Sequence, residues 1–235
     1  MQNWNYKKHY LYKAYASKYL YMRLNNQVIS SIYNQLDNFG HSFINKSRLH
    51  VLLNKLNLGL DIDKIIIKLN KLNKIKYVFD NYYYILNSDE QIKGYYKYSV
   101  EEMVFTILNK LKIDWYLGLH SALIINNLSI KDDLFHQIPK STIIINSKYS
   151  KRVKILNQAF IFRIQKNLLS FGIVSKKTKN KIIFNYSDLE RSYIDYLYYT
   201  HKSPISKNLL NINIVKKYLL NFPKDIIEAV NKYES

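Results

Sequence analysis

Between Val28 and Leu86 the chain carries, in this order, the patterns of three short amphipathic helices and one β-hairpin. Within each helical pattern the apolar residues recur at helical spacing, which places them on one face. They are Val28, Ile29, Ile32, Tyr33 and Leu36, then Leu49, Leu52, Leu53 and Leu56, then Ile62, Ile65, Ile66, Leu69 and Leu72. This succession is typical of a winged helix-turn-helix.

Local signals mark the ends of these elements. Ser47 and Asp61 are predicted N-caps of the second and third helices, because each side chain can accept from a free amide of the first turn. After the third helix, Ile75–Phe79 and Tyr82–Leu86 flank the dipeptide Asp80–Asn81. Both turn residues tolerate the positive φ of a two-residue hairpin, so we predict that this hairpin is the wing.

Polar and basic side chains of this segment suggest DNA contact. Lys64, Lys68 and Lys71 recur along the third helix, where they would follow a phosphate backbone if the helix entered a major groove. The predicted DNA-binding residues are Ser47, Arg48, Lys64, Lys68, Asn70, Lys71, Lys74, Lys76 and Asn81. A lysine stripe is also typical of a solvated helix surface, and winged helices also serve as protein-interaction modules.

The net charge favours a polyanionic partner. The chain has 36 Lys and Arg residues against 17 Asp and Glu residues, a formal charge of +19, which predicts salt-dependent binding. Codon bias is an alternative source of part of this charge, because Lys, Asn, Ile and Tyr are all abundant and all have AT-rich codons. Residues 1–90 carry a net +7 and residues 91–235 a net +12, so charge alone does not locate a binding face.

Composition and motifs argue against several other classes. There is no cysteine, no apolar run near the ~20 residues of a membrane span and no signal-peptide core, so we expect a cytoplasmic protein without a membrane partner. A Walker A loop, a dinucleotide fingerprint and a zinc-ligand motif are also absent from the sequence. We therefore expect no metal, no cofactor and no enzymatic activity.

Three pairs of neighbouring polar residues have the residue types of a catalytic or metal site. His120 precedes Ser121, but adjacent residues on a helix point apart, and the G-x-S-x-G elbow is missing. The carboxylate pairs Glu101–Glu102 and Asp132–Asp133 are more typical of a helix first turn and of a turn, respectively, than of a metal site.

The predicted domains are a basic and tyrosine-rich helical extension over 1–27, a winged helix-turn-helix over 28–90 and an α+β domain over 95–235, after a linker at 87–98. Packing against a neighbouring domain or a partner is favoured for the extension, with base stacking as the alternative. In the last domain, Ser99 and Glu102 form a capping box that opens a helix, and a second helix is predicted from Trp115 to an end near Asn126–Leu128. The rest is a small sheet flanked by helices, with strands at 142–145, 159–164, 171–174 and 181–185 and helices at 187–199, 211–220 and 223–233.

Other features of this half concern caps and charge. Ser187 and Glu190 are predicted to cap the helix that opens at 187. Arg191 and Asp195, four residues apart, suggest a charge network on the surface of that helix. Two basic stretches, around 148–154 and 176–181, look like turn-rich solvated loops, with an extended DNA footprint as the alternative.

Three segments in this order resemble the AbiEi-type antitoxin family of transcriptional regulators. They are the wing end Tyr82–Leu86, the central segment Trp115–Leu123, and Ser187–Asp195. The family commonly has Arg-Gly-x-Tyr in the wing, Tyr-x-Ser-x-x-Ser-Ala-Leu in the centre and Pro-Glu-Arg-Thr-x-x-Asp in the later helix. The residues that match are Tyr116, Ser121, Ala122, Leu123, Glu190, Arg191 and Asp195. The chain departs from the family in having Asp80–Asn81 at the wing tip, Gly118 for the first serine and Leu189 for the proline.

The resemblance implies a repressor that binds inverted repeats in double-stranded DNA upstream of its own operon, with a homodimer on the DNA as one arrangement. It further implies a type IV antitoxin, which counteracts a nucleotidyltransferase-like toxin without requiring a stable complex. The alternatives are a nucleic-acid-processing or replication-associated protein that uses the winged helix for docking, and an interaction module with no DNA role.

Overall fold

The computed structural model describes residues 26–127, 141–165 and 170–234, apart from residues 39, 41 and 56–60. The chain divides into two compact units, an N-terminal unit that ends at Lys97 and a C-terminal unit that begins at Tyr98. Each unit combines helices with a β-sheet, so the predicted α+β class is confirmed. The predicted extension over 1–27 and the Asp132–Asp133 pair lie outside the described residues, the last two residues of the extension excepted. No helix in the described part is long and apolar enough to cross a membrane.

The N-terminal unit places helices before, between and after the strands of a small antiparallel sheet, in which β3 lies between β1 and β2. The predicted helices and hairpin are all present, and a short strand, β1, precedes the second helix. The elements are α1 Asn26–Asn38, β1 Phe43–Asn45, α2 Lys46–Lys55, α3 Ile62–Lys71, β2 Ile75–Phe79, β3 Tyr82–Ile85 and α4 Ser88–Lys93.

The core of this unit forms where the apolar faces of α1, α2 and α3 meet one face of the sheet. The helix residues were predicted by their spacing, and the strands add Ile44, Ile75, Tyr83 and Ile85. The buried helix residues are Ile29, Ile32, Tyr33, Leu36, Leu49, Leu52, Leu53, Ile65, Ile66 and Leu69. Burial of these side chains is the main stabilising contribution, at about 1.5–3 kcal/mol for each large aliphatic group.

The caps of α2 and α3 test the local predictions. Asp61 caps α3, since its Oδ1 accepts from the Asp63 amide at 2.9 Å, as predicted. The predicted cap at Ser47 is wrong, because α2 already begins at Lys46 and Ser47 lies inside its first turn. Asn45 Oδ1 instead accepts from the Arg48 amide at 2.7 Å. Asn45 ends the extended strand β1, which brings its side chain to the free amides of the helix.

The hairpin prediction is confirmed in its backbone. Asp80 and Asn81 have φ values of 48° and 62°, so both occupy the left-handed region that a two-residue turn between twisted strands requires. The Asn81 carbonyl accepts from the Lys46 amide at 3.0 Å. This bond fixes the turn of the hairpin beside the start of α2.

The predicted linker at 87–98 contains a helix, α4. Asn87 Oδ1 accepts from the Glu90 amide at 2.9 Å, and Glu90 Oε2 accepts from the Asn87 amide at 2.9 Å, which is a complete capping box. Glu90 is buried and also accepts from Tyr84 Oη and from the Lys97 amide. The predicted linker, which breaks the strand pattern, is thus a folded part of the N-terminal unit.

The C-terminal unit contains a mixed six-stranded sheet in the order β6-β7-β5-β4-β9-β8. Parallel pairs join β4 to β9 and β5 to β7, and the other pairs are antiparallel. The elements are α5 Val100–Lys110, β4 Trp115–Leu117, α6 Leu119–Ile125, β5 Ser141–Asn146, β6 Lys151–Ile155, β7 Gln158–Ile164, β8 Ile173–Lys177, β9 Ile183–Ser187, α7 Leu189–Thr200, a 3-10 turn Lys207–Leu209, α8 Ile212–Leu219 and α9 Lys224–Glu234.

The helix predicted from Trp115 is wrong in its first part, whereas its predicted end near Asn126 is confirmed, because α6 ends at Ile125. Trp115–Leu117 forms the central strand β4, and its three side chains are all buried. A strand covered on both faces shows no polar alternation, so three residues give no period to read. Gly118 ends the strand at a close approach, because a Cβ there would lie 2.4 Å from Cδ1 of Ile145. A larger residue at this position would require Ile145 to move.

The two basic stretches predicted as turns are largely strands. Lys151, Arg152 and Lys154 lie on β6, and Lys176 and Lys177 lie on β8. These strands are the two edges of the sheet. Exposed lysines on an edge strand prevent pairing with another chain, so this charge has a structural explanation that is independent of nucleic acid.

The two predicted capping boxes of this unit differ in outcome. Ser99 and Glu102 cap α5 reciprocally, at 3.2 Å and 2.9 Å, as predicted. The cap at Ser187 is wrong, because this residue ends β9 and Asp188 Oδ1 accepts from the Arg191 amide at 2.8 Å. Helix α7 then packs against α6, α8 and α9 over an apolar core.

Candidate nucleic-acid interface

The solvent-facing side of α3 is the first candidate surface. At about 100° per residue, a helix that buries Ile65, Ile66 and Leu69 turns residues 64, 67 and 71 directly away from the core. We call Lys64, Ile67 and Lys71 the outward face of α3; all three are exposed. The predicted stripe placed Lys68 there, but Lys68 is half-buried on the flank.

Ile67 is the residue that sequence reasoning missed. Its side chain is 66% exposed, although it belongs to an unbroken run of isoleucines. A helix can bury only part of such a run on one side, so the helical period already placed Ile67 out of phase with its neighbours. The outward face therefore consists of an isoleucine between two lysines.

Exposed polar groups continue this surface around the start of α2. Ser47 and Arg48 lie exposed in its first turn, and Asn81 is exposed at the hairpin turn. Lys46 Nζ lies 2.6 Å from Asp63 Oδ1, which ties the start of α2 to the start of α3. The start of α2 is thus bound both to the start of α3 and, through the Lys46 amide, to the hairpin turn.

Lys74 and Lys76, two other predicted DNA contacts, are less accessible than the outward face of α3. Lys74 Nζ donates to Gln91 Oε1 at 2.6 Å and lies 4.3 Å from the centre of the Tyr33 ring, so its charge is already bound within the unit. Lys76 is half-buried on β2, opposite Tyr84. Asn70 is exposed in the last turn of α3. The structure therefore turns Lys74 inward and half-buries Lys68 and Lys76. The other predicted residues are exposed: Ser47, Arg48, Lys64, Asn70, Lys71 and Asn81.

The residues that carry the family resemblance form a different kind of site. Arg191 and Asp195 are fully buried, with Arg191 Nε 3.0 Å from Asp195 Oδ1, so the predicted surface network is wrong. Tyr116 Oη donates to Asp195 Oδ2 at 3.0 Å, and an Arg191 Nη donates to Tyr116 Oη at 2.9 Å and to Gln165 Oε1 at 3.1 Å. We call Tyr116, Gln165, Arg191 and Asp195 the buried network.

The electrostatics of the buried network follow from its isolation from water. Burial raises the pKa of the Tyr116 hydroxyl well above its usual range, and the Asp195 carboxylate raises it further. Burial also raises the pKa of Asp195, against the attraction of the Arg191 guanidinium. The rings of Phe171 and Phe222 lie 4.9 Å and 4.8 Å from the guanidinium carbon. The network therefore joins β4 to α7 inside the unit.

Helix α6 carries the rest of the central segment. Ser121 Oγ accepts from the Ile143 amide at 2.8 Å, and His120 Nε2 donates to the Ser141 carbonyl at 2.7 Å. Burial lowers the pKa of His120. Ala122 and Leu123 are buried, while Glu190 Oε1 accepts from the Asn211 amide at 3.0 Å. His120 and Ser121 thus bind different backbone atoms of β5 and dock α6 on the sheet.

A cleft of about 700 Å³ in this unit is lined in part by Glu101, Glu102, His120 and Ser121. Burial raises the pKa of Glu102, but hydrogen bonds from Thr178 and Asn180 outweigh it and leave this pKa below its usual range. Among the described residues, no three His, Asp or Glu side chains are close enough together to hold a metal ion. The polar side chains of the cleft largely bind one another.

No protein family model matches this chain, and no curated protein is significantly similar to it.

Proposed function

We propose that this protein is a cytoplasmic, non-enzymatic DNA-binding regulator whose N-terminal unit is a winged helix. The observation that carries the proposal is the outward face of α3, with an exposed isoleucine between two exposed lysines. In a winged helix, this helix enters the major groove and the β2–β3 hairpin passes the backbone. Contacts with phosphates then hold the helix in register with the bases.

The order of elements supports this interpretation. A helix, a short strand, two helices and a hairpin follow one another, and the short strand pairs with the hairpin. That pairing and the Lys46–Asn81 backbone bond fix the hairpin beside α2, as a wing requires. The formal charge of +19 adds long-range attraction to DNA.

We expect the double variant Lys64→Ala/Lys71→Ala to lose affinity and salt sensitivity for a duplex from the region upstream of its own gene. Each lost phosphate contact removes about 0.9 from the slope of log K against log salt, so the slope should fall by about 1.8. Fluorescence anisotropy between about 50 and 200 mM salt measures it. Neither substitution touches the core, so folding should be unaffected.

A matched control is Lys216→Ala/Lys217→Ala, which removes two exposed lysines of α8 and hence the same charge. Equal slopes for the two double variants would mean that total charge, rather than the outward face of α3, determines binding. Cleavage of the labelled duplex would instead favour the nucleic-acid-processing alternative.

We further propose that the protein is the antitoxin of a type IV pair and counteracts a nucleotidyltransferase-like toxin. The resemblance supports this role, and one structural observation is compatible with it. Two of its three segments meet through the Tyr116–Arg191 bond, so they belong to one folding core. Because these residues are buried, we expect them to stabilise the fold of the C-terminal unit, and we expect surface residues to act on the toxin or its target.

The antitoxin role predicts that the full-length chain restores growth to cells expressing a nucleotidyltransferase-like toxin encoded beside it. The Lys64→Ala/Lys71→Ala variant should restore growth equally well, because that activity is assigned to the C-terminal unit. Growth counts on inducing plates measure the effect, and gel filtration of the mixed proteins should yield no stable complex. Absence of rescue by a folded, full-length protein would remove the antitoxin role and leave the DNA-binding role intact.

A further inference from the structure

The outward face of α3 carries more information than its charge. Single exposed apolar side chains are common on protein surfaces, so the 66% exposure of Ile67 has no meaning by itself. The position of Ile67 is informative, because the residue lies midway along the face, three residues after Lys64 and four before Lys71. Its side chain is within reach of both lysines. Any partner that covers the isoleucine must also accommodate two ammonium groups.

DNA meets both requirements better than an apolar protein surface does. An apolar protein partner would strip water from the two lysines without replacing it, which is costly for charged groups. In a major groove, phosphates on either side pair with the lysines, and the floor offers one apolar group, the C5-methyl of thymine. The chemistry that fits Ile67 between Lys64 and Lys71 is therefore a thymine methyl.

Asn70 adds a polar group on the flank of α3 next to Ile67, opposite the flank that carries Lys68. It lies three residues after Ile67 and is exposed, so the two side chains are neighbours. An asparagine amide donates and accepts in the pattern that matches N7 and the N6 amino group of adenine. Ile67 and Asn70 thus suit the two bases that make up A·T pairs.

We propose that Ile67 and Asn70 select A·T base pairs in the major groove, with Ile67 contacting a thymine methyl. This inference rests on the proposed DNA-binding function and specifies its sequence class. Lys64 and Lys71 contribute affinity for any duplex, whereas Ile67 and Asn70 contribute the difference between sequences.

The test begins with selection of duplexes by the full-length protein from a random-sequence library. Each thymine of the selected site is then replaced by uracil, which removes only the methyl group. At the one thymine that contacts Ile67, we expect the uracil replacement to lower wild-type affinity about fourfold. This factor corresponds to the free energy of burying one methyl-sized group. Ile67→Ala should bind the thymine and uracil duplexes equally, while Asn70→Ala should lose preference for adenine at a neighbouring position.

Val51→Ala is the matched control, since Val51 is also an apolar residue exposed on a helix of this unit, at 54%. It should keep the thymine preference of the wild type. Equal wild-type affinity for thymine and uracil duplexes, or an Ile67→Ala variant that still prefers thymine, would overturn the inference while leaving the DNA-binding function standing. Failure of the wild type to enrich any duplex would overturn both.

Discussion

Replacement of Arg191 by alanine is expected to lower the free energy of unfolding of the C-terminal unit by about 3–5 kcal/mol. The guanidinium is fully buried and binds Asp195, Tyr116 and Gln165. Its removal leaves a buried carboxylate without its counter-ion, and this uncompensated charge is the main cost. Urea denaturation followed through the fluorescence of Trp115, a buried residue of the same unit, measures the change.

Two further variants separate charge from packing. Arg163→Ala removes an arginine exposed on β7 and should cost less than about 0.5 kcal/mol. Arg191→Met/Asp195→Leu removes both charges and retains apolar volume, so it should be more stable than Arg191→Ala. If the double variant is as unstable as the single one, loss of the hydrogen bonds to Tyr116 and Gln165 outweighs the unpaired charge. A cost below 1 kcal/mol for Arg191→Ala would contradict a stabilising role for the buried network altogether.

The parts of the fold that were predicted correctly are those specified by adjacent residues. The cap at Asp61, the capping box of Ser99 and Glu102 and the turn at Asp80–Asn81 each depend on contacts within a few positions. The apolar faces of α1, α2 and α3 follow from the helical period alone. At the start of α2, the short strand before the helix makes Asn45 the cap in place of the predicted Ser47, and the sequence did not reveal that strand.

The errors arise where distant residues determine the structure. The strand β4 is recognisable only from its neighbours β5 and β9, and the lysines of β6 look like a turn until β7 pairs with them. Arg191 and Asp195 have the spacing of a surface ion pair, and only Tyr116 and Gln165, far away in sequence, reveal that the pair is buried. The exposure of Ile67 could have been predicted from the helical period. It was missed because Ile67 belongs to a run of isoleucines whose other members are buried.

Alkaline solution is expected to destabilise the C-terminal unit steeply, because burial raises the pKa of four of its tyrosines in the folded state. Two of them, Tyr199 and Tyr218, are half-buried, and the other two are almost fully buried. Burial raises the pKa of both Tyr116 and Tyr196 in the folded state, whereas tyrosine in an unfolded chain ionises near pH 10, with a pKa of about 10. Above that pH the unfolded chain releases protons that the folded unit retains, so the free energy of unfolding falls as pH rises. Each of the four tyrosines contributes up to about 1.4 kcal/mol per pH unit, or at most about 5.4 kcal/mol for the four together.

Urea denaturation at several values between about pH 9 and pH 11, monitored by far-ultraviolet circular dichroism, measures this slope. The variant Tyr196→Phe removes one of the four groups while retaining its apolar ring, so the slope should be about a quarter less steep. Tyr95→Phe is the matched control, because Tyr95 is 57% exposed and its replacement should leave the slope unchanged. Stability that stays constant through this range would mean that the hydroxyls of Tyr116 and Tyr196 reach water in the folded protein. It would also remove the physical basis for a water-free network around Arg191, because Tyr116 shares its hydrogen bonds with that guanidinium.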